Sequence, residues 1–381
     1  MAKIRNLVFV VVSVILLLLP VCHLVITRMP DGAKQSAKSE LEGRAYAKFP
    51  SVTQSSVLSG QFQGGIERYL SDGIPYREEV LLANASLQRK IIELANVPFS
   101  LEAYPTFFGS QVVAIPQYEA VFEIPGVAYP NRAKALRRCA IMINRAARRY
   151  PGIRWCVGLA DRSRTLAVSP VRNLRSNPAD SEFYTKAFYQ NLSDDVVSIN
   201  LFYNDLSKFV NEYYKTDHHW RIEGGVEAYK KICAALGIEP VEYEFKNVYP
   251  GPSYGANARM GLIDVYADSI NDVVYARSPI EVKVNGNSKE PRILDKSYTP
   301  GFAGYEKGGK FTSTYSDYFH ANYNLIQITN PLAARDASLL IIGDSFTNCI
   351  ERLFAEEYRE VYVVDPRYIN RGEFKGWNAG A

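Results

Sequence analysis

Leu339-Leu340-Ile341-Ile342-Gly343-Asp344-Ser345-Phe346 is the stretch on which the fold class turns. Four consecutive apolar residues make a short run of the kind that a parallel strand buries on both faces. Downstream, Ile350, Leu353, Phe354 and Tyr358 recur at helical spacing, and Val361 to Val364 repeats the buried-strand pattern. The final third therefore reads βαβ, and the whole chain α/β, with a parallel sheet flanked by helices. Ser345 falls directly after a strand and before a helix. Its hydroxyl then stands at the carboxy-terminal edge of the sheet, where open α/β proteins bind their ligands. Free N–H groups at the helix start point the same way and can hold the oxyanion formed when a nucleophile attacks an ester.

A serine hydroxyl is barely ionised and needs a neighbouring base. The chain has only four histidines, and two of them sit in Asp217-His218-His219-Trp220. Histidine is the usual general base because its ordinary pKa lies nearest neutrality, and an adjacent carboxylate holds it in one tautomer. Asp217 and His219 are two residues apart, so an extended backbone points both side chains the same way. Thr216 can fix the turn, and Trp220 can cover the site. Triads are defined by geometry, so the order Asp, His, Ser is no obstacle. Gly-Asp-Ser alone is weak, arising by chance in about one chain of this length in ten; its position after a buried strand strengthens it. Asp217, His218 and His219 also suit a metal ion, but no second His, Cys, Asp or Glu cluster supplies the remaining ligands, so no metal and no cofactor is expected.

The surrounding chain sets the frame. Leu7 to Ile26 is almost wholly apolar and just long enough to span a bilayer core. Lys3 and Arg5 precede it, which keeps the N-terminus cytoplasmic and sends the rest across. A cleaved signal peptide is the alternative, although no small-x-small site follows at once. The organisation expected is a single-pass anchor over 1–28, a polar linker over 29–48 and one α/β domain over 49–381. Within that domain, 248–315 is rich in Gly, Pro, Asn, Ser and Tyr and reads as an irregular or strand-rich insertion. Helices are expected near 132–150, 181–190 and 223–236, the last stopped by Gly237, and strands near 155–160 and 196–201. Five cysteines without CxxC spacing make neither a disulfide framework nor a zinc site. A net charge of +4 leaves no nucleic-acid footprint. The 26 tyrosines are unusual; some could form sugar-binding platforms, but most read as packing residues at a core edge.

Tyr214-Lys215-Thr216-Asp217-His218-His219-Trp220, followed by Glu223-Gly224-Gly225, resembles the signature of the DHHW protein family, and Gly343-Asp344-Ser345-Phe346 resembles its paired serine block. Phe49-Pro50, Asp72-Gly73-Ile74-Pro75-Tyr76-Arg77 and Val364-Asp365-Pro366-Arg367-Tyr368 resemble further landmarks. The family is similar to SGNH hydrolases, in the permuted branch holding the periplasmic alginate O-acetyltransferases, where Asp-x-His also precedes Gly-Asp-Ser. The resemblance implies Ser345 as nucleophile, His219 as base and Asp217 as its orienter. His218 stands where the alginate enzymes usually carry threonine. For the oxyanion, the superfamily implies the Ser345 N–H plus a glycine N–H and an asparagine side chain, for which Gly255 and Asn322 are the candidates. His218, Trp220 and Arg367 are candidate substrate contacts. The superfamily's Gly-x-Asn-Asp block is not evident. The implied activity is transfer or removal of an O-acetyl group on a cell-surface polysaccharide outside the cytoplasm. A membrane-bound O-acyltransferase partner would supply the acetyl groups. The alternative from another class is a non-catalytic module that binds polysaccharide or scaffolds an export complex, in which Asp217, His219 and Ser345 need not meet.

Overall fold

The structure is a computed structural model that describes residues 8–15, 18, 38–39, 41–274, 279–294, 311 and 314–369. The chain divides into two compact units, residues 1–95 and 96–381. The expected anchor lies mostly outside the described residues; residues 8–15 are helical. No described helix is long and apolar enough to cross a membrane.

In the first unit, strands β1 (Lys38–Ser39) and β2 (Arg44–Ala45) pair antiparallel, followed by helices α1 (Gln54–Leu58), α2 (Gln61–Asp72) and α3 (Arg77–Asn96). Charged groups tie the hairpin to the helices. Arg44 donates to both oxygens of the buried Asp72 at 2.8 and 2.7 Å, and Arg77 donates to Glu42 at 3.0 Å. Residues 38–39 and 41–48 are thus structured rather than a solvated linker, and 49–95 group with them rather than with the α/β domain. The reason is this set of ion pairs, which polar composition alone did not reveal.

The second unit opens with an antiparallel meander, β3 (Tyr104–Pro105), β4 (Val112–Ile115) and β5 (Ala120–Glu123), followed by α4 (Pro130–Arg149). Next come β6 (Trp155–Gly158), α5 (Ser181–Ala187), β7 (Val196–Ile199), α6 (Leu206–Glu212) and α7 (Ile222–Leu236). Gly237 ends α7 with φ 71°, the left-handed cap that glycine adopts without a Cβ penalty. The stretch expected as an insertion supplies β8 (Phe245–Ser253), α8 (Ala256–Gly261), β9 (Asp268–Val273), β10 (Glu281–Val284) and β11 (Asn287–Lys289). The chain closes with α9 (Thr314–Phe319), β12 (Leu325–Thr329), β13 (Arg335–Ile342), α10 (Glu351–Glu357) and β14 (Tyr358–Val364).

The main sheet runs β11-β10-β12-β14-β13, and only β13–β14 is parallel. The fully parallel sheet expected from the sequence is therefore mixed, because of how its strands are connected. A parallel pair needs a crossover, which α10 supplies between β13 and β14. A two-residue turn, Asn285-Gly286 at φ 53° and 78°, joins β10 to β11 and admits only antiparallel pairing. A second parallel pair, β6–β7, stands apart. Between it and β13 lies a cavity of about 570 Å³, lined among others by Cys156, Gly158, Leu201, Leu340 and Ile342. β13 is consequently an edge strand rather than a buried one, with Leu340 and Ile342 at 55% and 62% exposure. The core packs Val226, Tyr229 and Cys233 of α7 with Leu353 and Phe354 of α10 and Val361 and Val363 of β14. Tyr213, Tyr229 and Tyr318 are among the largest fully buried side chains, so these tyrosines pack rather than present a platform.

Candidate active site

Residues 214–219 form a loop between α6 and α7, pinched shut where Tyr213 bridges Trp220 and Arg221 N–H donates to Glu212 O at 2.8 Å. Asp217 and His219 converge, but not through an extended backbone. Asp217 Oδ1 accepts the backbone N–H of His219 at 3.1 Å, an Asx turn, and the same oxygen lies 2.7 Å from His219 Nδ1. A carboxylate only accepts, so Nδ1 carries the proton and Nε2 is the free base. His219 Nε2 lies 2.8 Å from Ser345 Oγ, giving an unbroken hydrogen-bonded chain Asp217–His219–Ser345.

The carboxylate is held from behind. Ala256 N–H, at the start of α8, donates to Asp217 Oδ2 at 2.7 Å. Burial alone would raise the Asp217 carboxyl, but the charge and hydrogen bond of His219 and the Ala256 N–H hold it well below the usual carboxylate range. Thr216 docks α8 against the loop. Its carbonyl accepts the N–H groups of Asn257 and Ala258, and its hydroxyl donates to Asp268 Oδ2 at 2.5 Å. Asp268 also takes the Lys215 and Thr216 N–H groups at 2.7 and 2.9 Å.

The serine arm follows from Gly343-Asp344. A Cβ on Gly343 would come within 2.4 Å of Thr347 Cγ2, so any larger residue there forces Thr347 to shift. The two peptide planes after Ser345 are each held at both ends. Phe346 N–H donates to Asp344 Oδ1 at 3.1 Å and Tyr315 Oη–H donates to Ser345 O at 2.7 Å. Thr347 N–H donates to Asp344 O at 2.9 Å and Trp220 Nε1–H donates to Phe346 O at 3.1 Å. The Ser345 N–H has no partner among the described residues, which leaves it available to an oxyanion. The Glu223-Gly224-Gly225 block serves close packing. A Cβ on Gly225 would stand 3.0 Å from Cys349 Sγ and 3.1 Å from Ile350 Cγ2, and one on Gly224 2.5 Å from Glu212 O.

The remaining candidates fall elsewhere. The N–H of Gly255 donates to Thr216 Oγ1 at 3.0 Å, so it is not an oxyanion donor; the residue is glycine because a Cβ would overlap Asp217 Oδ2 at 2.4 Å. Asn322 is not set as an oxyanion donor either: its amide N–H points to Tyr368 Oη at 3.5 Å, and its oxygen lies 3.4 Å from Asn348 Nδ2. Trp220 is buried at 3% exposure and clamps the serine turn instead of meeting substrate. Arg367 is pinned on Asp365 at 2.6 Å and lines the cavity beside Asp344. His218 packs on His219 at a tilt of 36°, centroids 3.9 Å apart, with its Nδ1 3.4 Å from Asp217 Oδ1. Burial pushes its imidazole down to about 3, so it is neutral near pH 7. The ligand-type atoms of Asp217, His218 and His219 lie within 4.8 Å of one another, close enough to suit an ion. Both Asp217 oxygens and both His219 nitrogens are already engaged, however, so the set fits a proton relay better than an ion cage.

Tyr315 and Asp268 are the members that sequence reasoning missed. No local signal marks either one: Tyr315 is one of 26 tyrosines, and Ser345 and His219, the site residues it meets, lie 30 and 96 residues away in the chain.

Residues 175–364 match the model of the DHHW protein family, and both motif blocks fall inside that match. The chain belongs to the DHHW protein family. Its fold is similar to that of PatB1 from Bacillus cereus, at 17% identity and a TM-score of 0.53, covering 68% of this chain and 90% of that one. PatB1 with a sulfonyl adduct matches at 18% identity and a TM-score of 0.52, over 68% of this chain and 89% of that one. A DHHW family protein from Eubacterium siraeum matches at 16% identity and a TM-score of 0.51, over 71% and 87%. These likenesses establish an α/β fold shared with PatB1. No curated protein matches the chain.

Proposed function

We propose that this DHHW domain is a serine-dependent O-acetyltransferase or acetylesterase acting on a cell-surface polysaccharide. The observation that carries the reading is the continuous chain Asp217–His219–Ser345, with links of 2.7 and 2.8 Å. In acylation, Ser345 Oγ forms a bond to the ester carbonyl carbon while His219 Nε2 takes its proton. The Ser345 N–H faces the developing oxyanion. When the carbon–oxygen bond to the leaving alcohol breaks, His219 returns the proton to that oxygen. Asp217 keeps Nδ1 protonated and stabilises the imidazolium throughout. A sugar hydroxyl or water then attacks acetyl-Ser345, giving transfer or hydrolysis by the reverse proton path. PatB1 has been seen with a sulfonyl adduct, and sulfonyl reagents are electrophiles toward nucleophilic side chains, which agrees with a nucleophile on this fold.

An outward-facing domain behind a single-pass anchor, and an acyl-supplying membrane-bound O-acyltransferase partner, complete the proposal. They are supported by the apolar stretch from Leu7 to Ile26 behind Lys3 and Arg5, and by the family resemblance. The non-catalytic alternative draws no support from three side chains that meet within hydrogen-bond distance. The test is turnover of a chromogenic acetyl ester. Wild type should release acetate, and Ser345→Ala should lose about 10³-fold or more in kcat. Equal rates for the two would overturn the reading. Adding sugar oligomers and weighing the products by mass spectrometry separates transfer from hydrolysis.

A further inference from the structure

We infer that Tyr315 is a positioning residue of the active site, acting on both the base and the nucleophile through two separate parts of one side chain. The inference rests on the serine-dependent reading above.

The ring is the first part. Tyr315 lies parallel to His219, centroids 3.9 Å apart and planes 4° apart. His218 also packs on His219, centroids 3.9 Å and planes 36° apart. An imidazole between Asp217 and Ser345 is productive only while both its nitrogens stay in line with their partners. A flat ring at van der Waals distance blocks rotation out of that line. The same π face meets the positive charge that His219 acquires during acylation, an arrangement that favours the imidazolium. The hydroxyl is the second part. It donates to the Ser345 carbonyl at 2.7 Å and completes the restraint on the peptide plane that follows the nucleophile. Burial holds the phenol well above its ordinary pKa, so the hydroxyl remains a neutral donor.

Tyr315 is itself immobilised. It is 3% exposed, meets Tyr214 edge-on at 6.2 Å and packs on Phe319 at 5.1 Å. Neither part reaches the reacting atoms, so the residue governs geometry rather than bond making. A misplacement of about 1 Å costs roughly a hundredfold in rate.

Two variants separate the parts. Tyr315→Phe keeps the ring and loses the hydroxyl; Tyr315→Met keeps much of the volume and loses both. The readout is single-turnover acylation by a chromogenic acetyl ester, with a sulfonyl fluoride titrating reactive Ser345 in each preparation. We expect Tyr315→Phe to slow acylation per titrated serine about tenfold, and Tyr315→Met about a hundredfold or more, with KM unchanged in both. A merely structural role would lower the titrated fraction and leave the rate per titrated serine at the wild-type value. That result, or equal slowing by the two variants, overturns the inference. Wild type without Ser345-dependent acylation would instead overturn the functional reading itself.

Discussion

At the scale of single residues, the Asp217 carboxylate is crowded from behind by Gly255. The glycine has φ −84°, so no left-handed backbone demands it; the demand is steric. Gly255→Ala would put a methyl group 2.4 Å from both Cβ and Oδ2 of Asp217, so the whole Asp217 side chain must shift, carrying the carboxylate out of line with His219. The expected result is a loss of about a hundredfold in kcat, set by misalignment of the base. Overpacking should add roughly 1–3 kcal/mol of destabilisation. Steady-state kinetics beside thermal unfolding would check both, and a variant with wild-type kcat would refute the steric account. The residue was flagged by resemblance as an oxyanion donor and turns out to be required for a different reason. Only the three-dimensional neighbour, Asp217, tells the two reasons apart.

At the scale of elements, the DHHW loop and the serine turn are two short pieces that meet between α7 and the start of α10. Trp220 fastens them, donating its ring N–H to Phe346 O at 3.1 Å with Cys349 Sγ at 3.0 Å. The two glycines of α7 let the helix approach closely enough for that contact. Trp220→Phe keeps the aromatic packing but leaves the Phe346 carbonyl only the long side-chain contact from Cys349 Sγ at 3.9 Å, and losing the indole donor costs about 1–3 kcal/mol when buried. Stability in urea should fall by that amount, and kcat should fall with KM nearly constant, because the nucleophile rather than a substrate contact is disturbed. A rise in KM with kcat unchanged would return Trp220 to the role of substrate contact. Asp268 works at the same scale, since its carboxylate gathers three donors from Lys215 and Thr216 and so shapes the loop that carries the base.

At the scale of the whole molecule, buried titratable groups shape the pH dependence of stability. Burial lowers His218 to about 3, below its unfolded value near 6.5. The neutral form is favoured in the fold, so its contribution is complete above pH 6.5 and is lost as pH falls toward 3, at roughly 1.4 kcal/mol per pH unit. Burial raises Asp161 and Asp268 to about 6, above their unfolded values near 4. Their contribution is complete below pH 4 and is lost as pH rises to 6, which opposes the histidine. Replacing His218 by Gln removes one side of this balance. Relative to wild type, the variant should gain about 2 kcal/mol at pH 5 compared with pH 7, measured by denaturant unfolding. An unchanged difference between the two pH values would rule out a buried neutral His218.

Local order was legible in parts of residues 130–364. The helices near 132–150 and 223–236, the glycine stop at 237 and the strands near 196–201 and 361–364 follow from periodicity and capping within a few residues. The identities of Asp217, His219 and Ser345 were likewise written in two short motifs. The edge position of β13, the mixed order of the sheet and the grouping of 49–95 with the N-terminal unit were not legible. A run of apolar residues looks the same in a central strand and in an edge strand bordering a cavity. The sequence by itself determined which side chains are the candidates for the chemistry and several of the helices and strands, because those depend on neighbours close in the chain. Tertiary structure alone decided that Asp217–His219 closes as an Asx turn, that Gly255 yields space instead of a hydrogen bond, and that Tyr315 lies flat on the base. His219 meets Ser345 across 126 residues, and Tyr315 meets Ser345 across 30. Contacts at that separation are fixed by packing of the whole domain, and no local pattern encodes them.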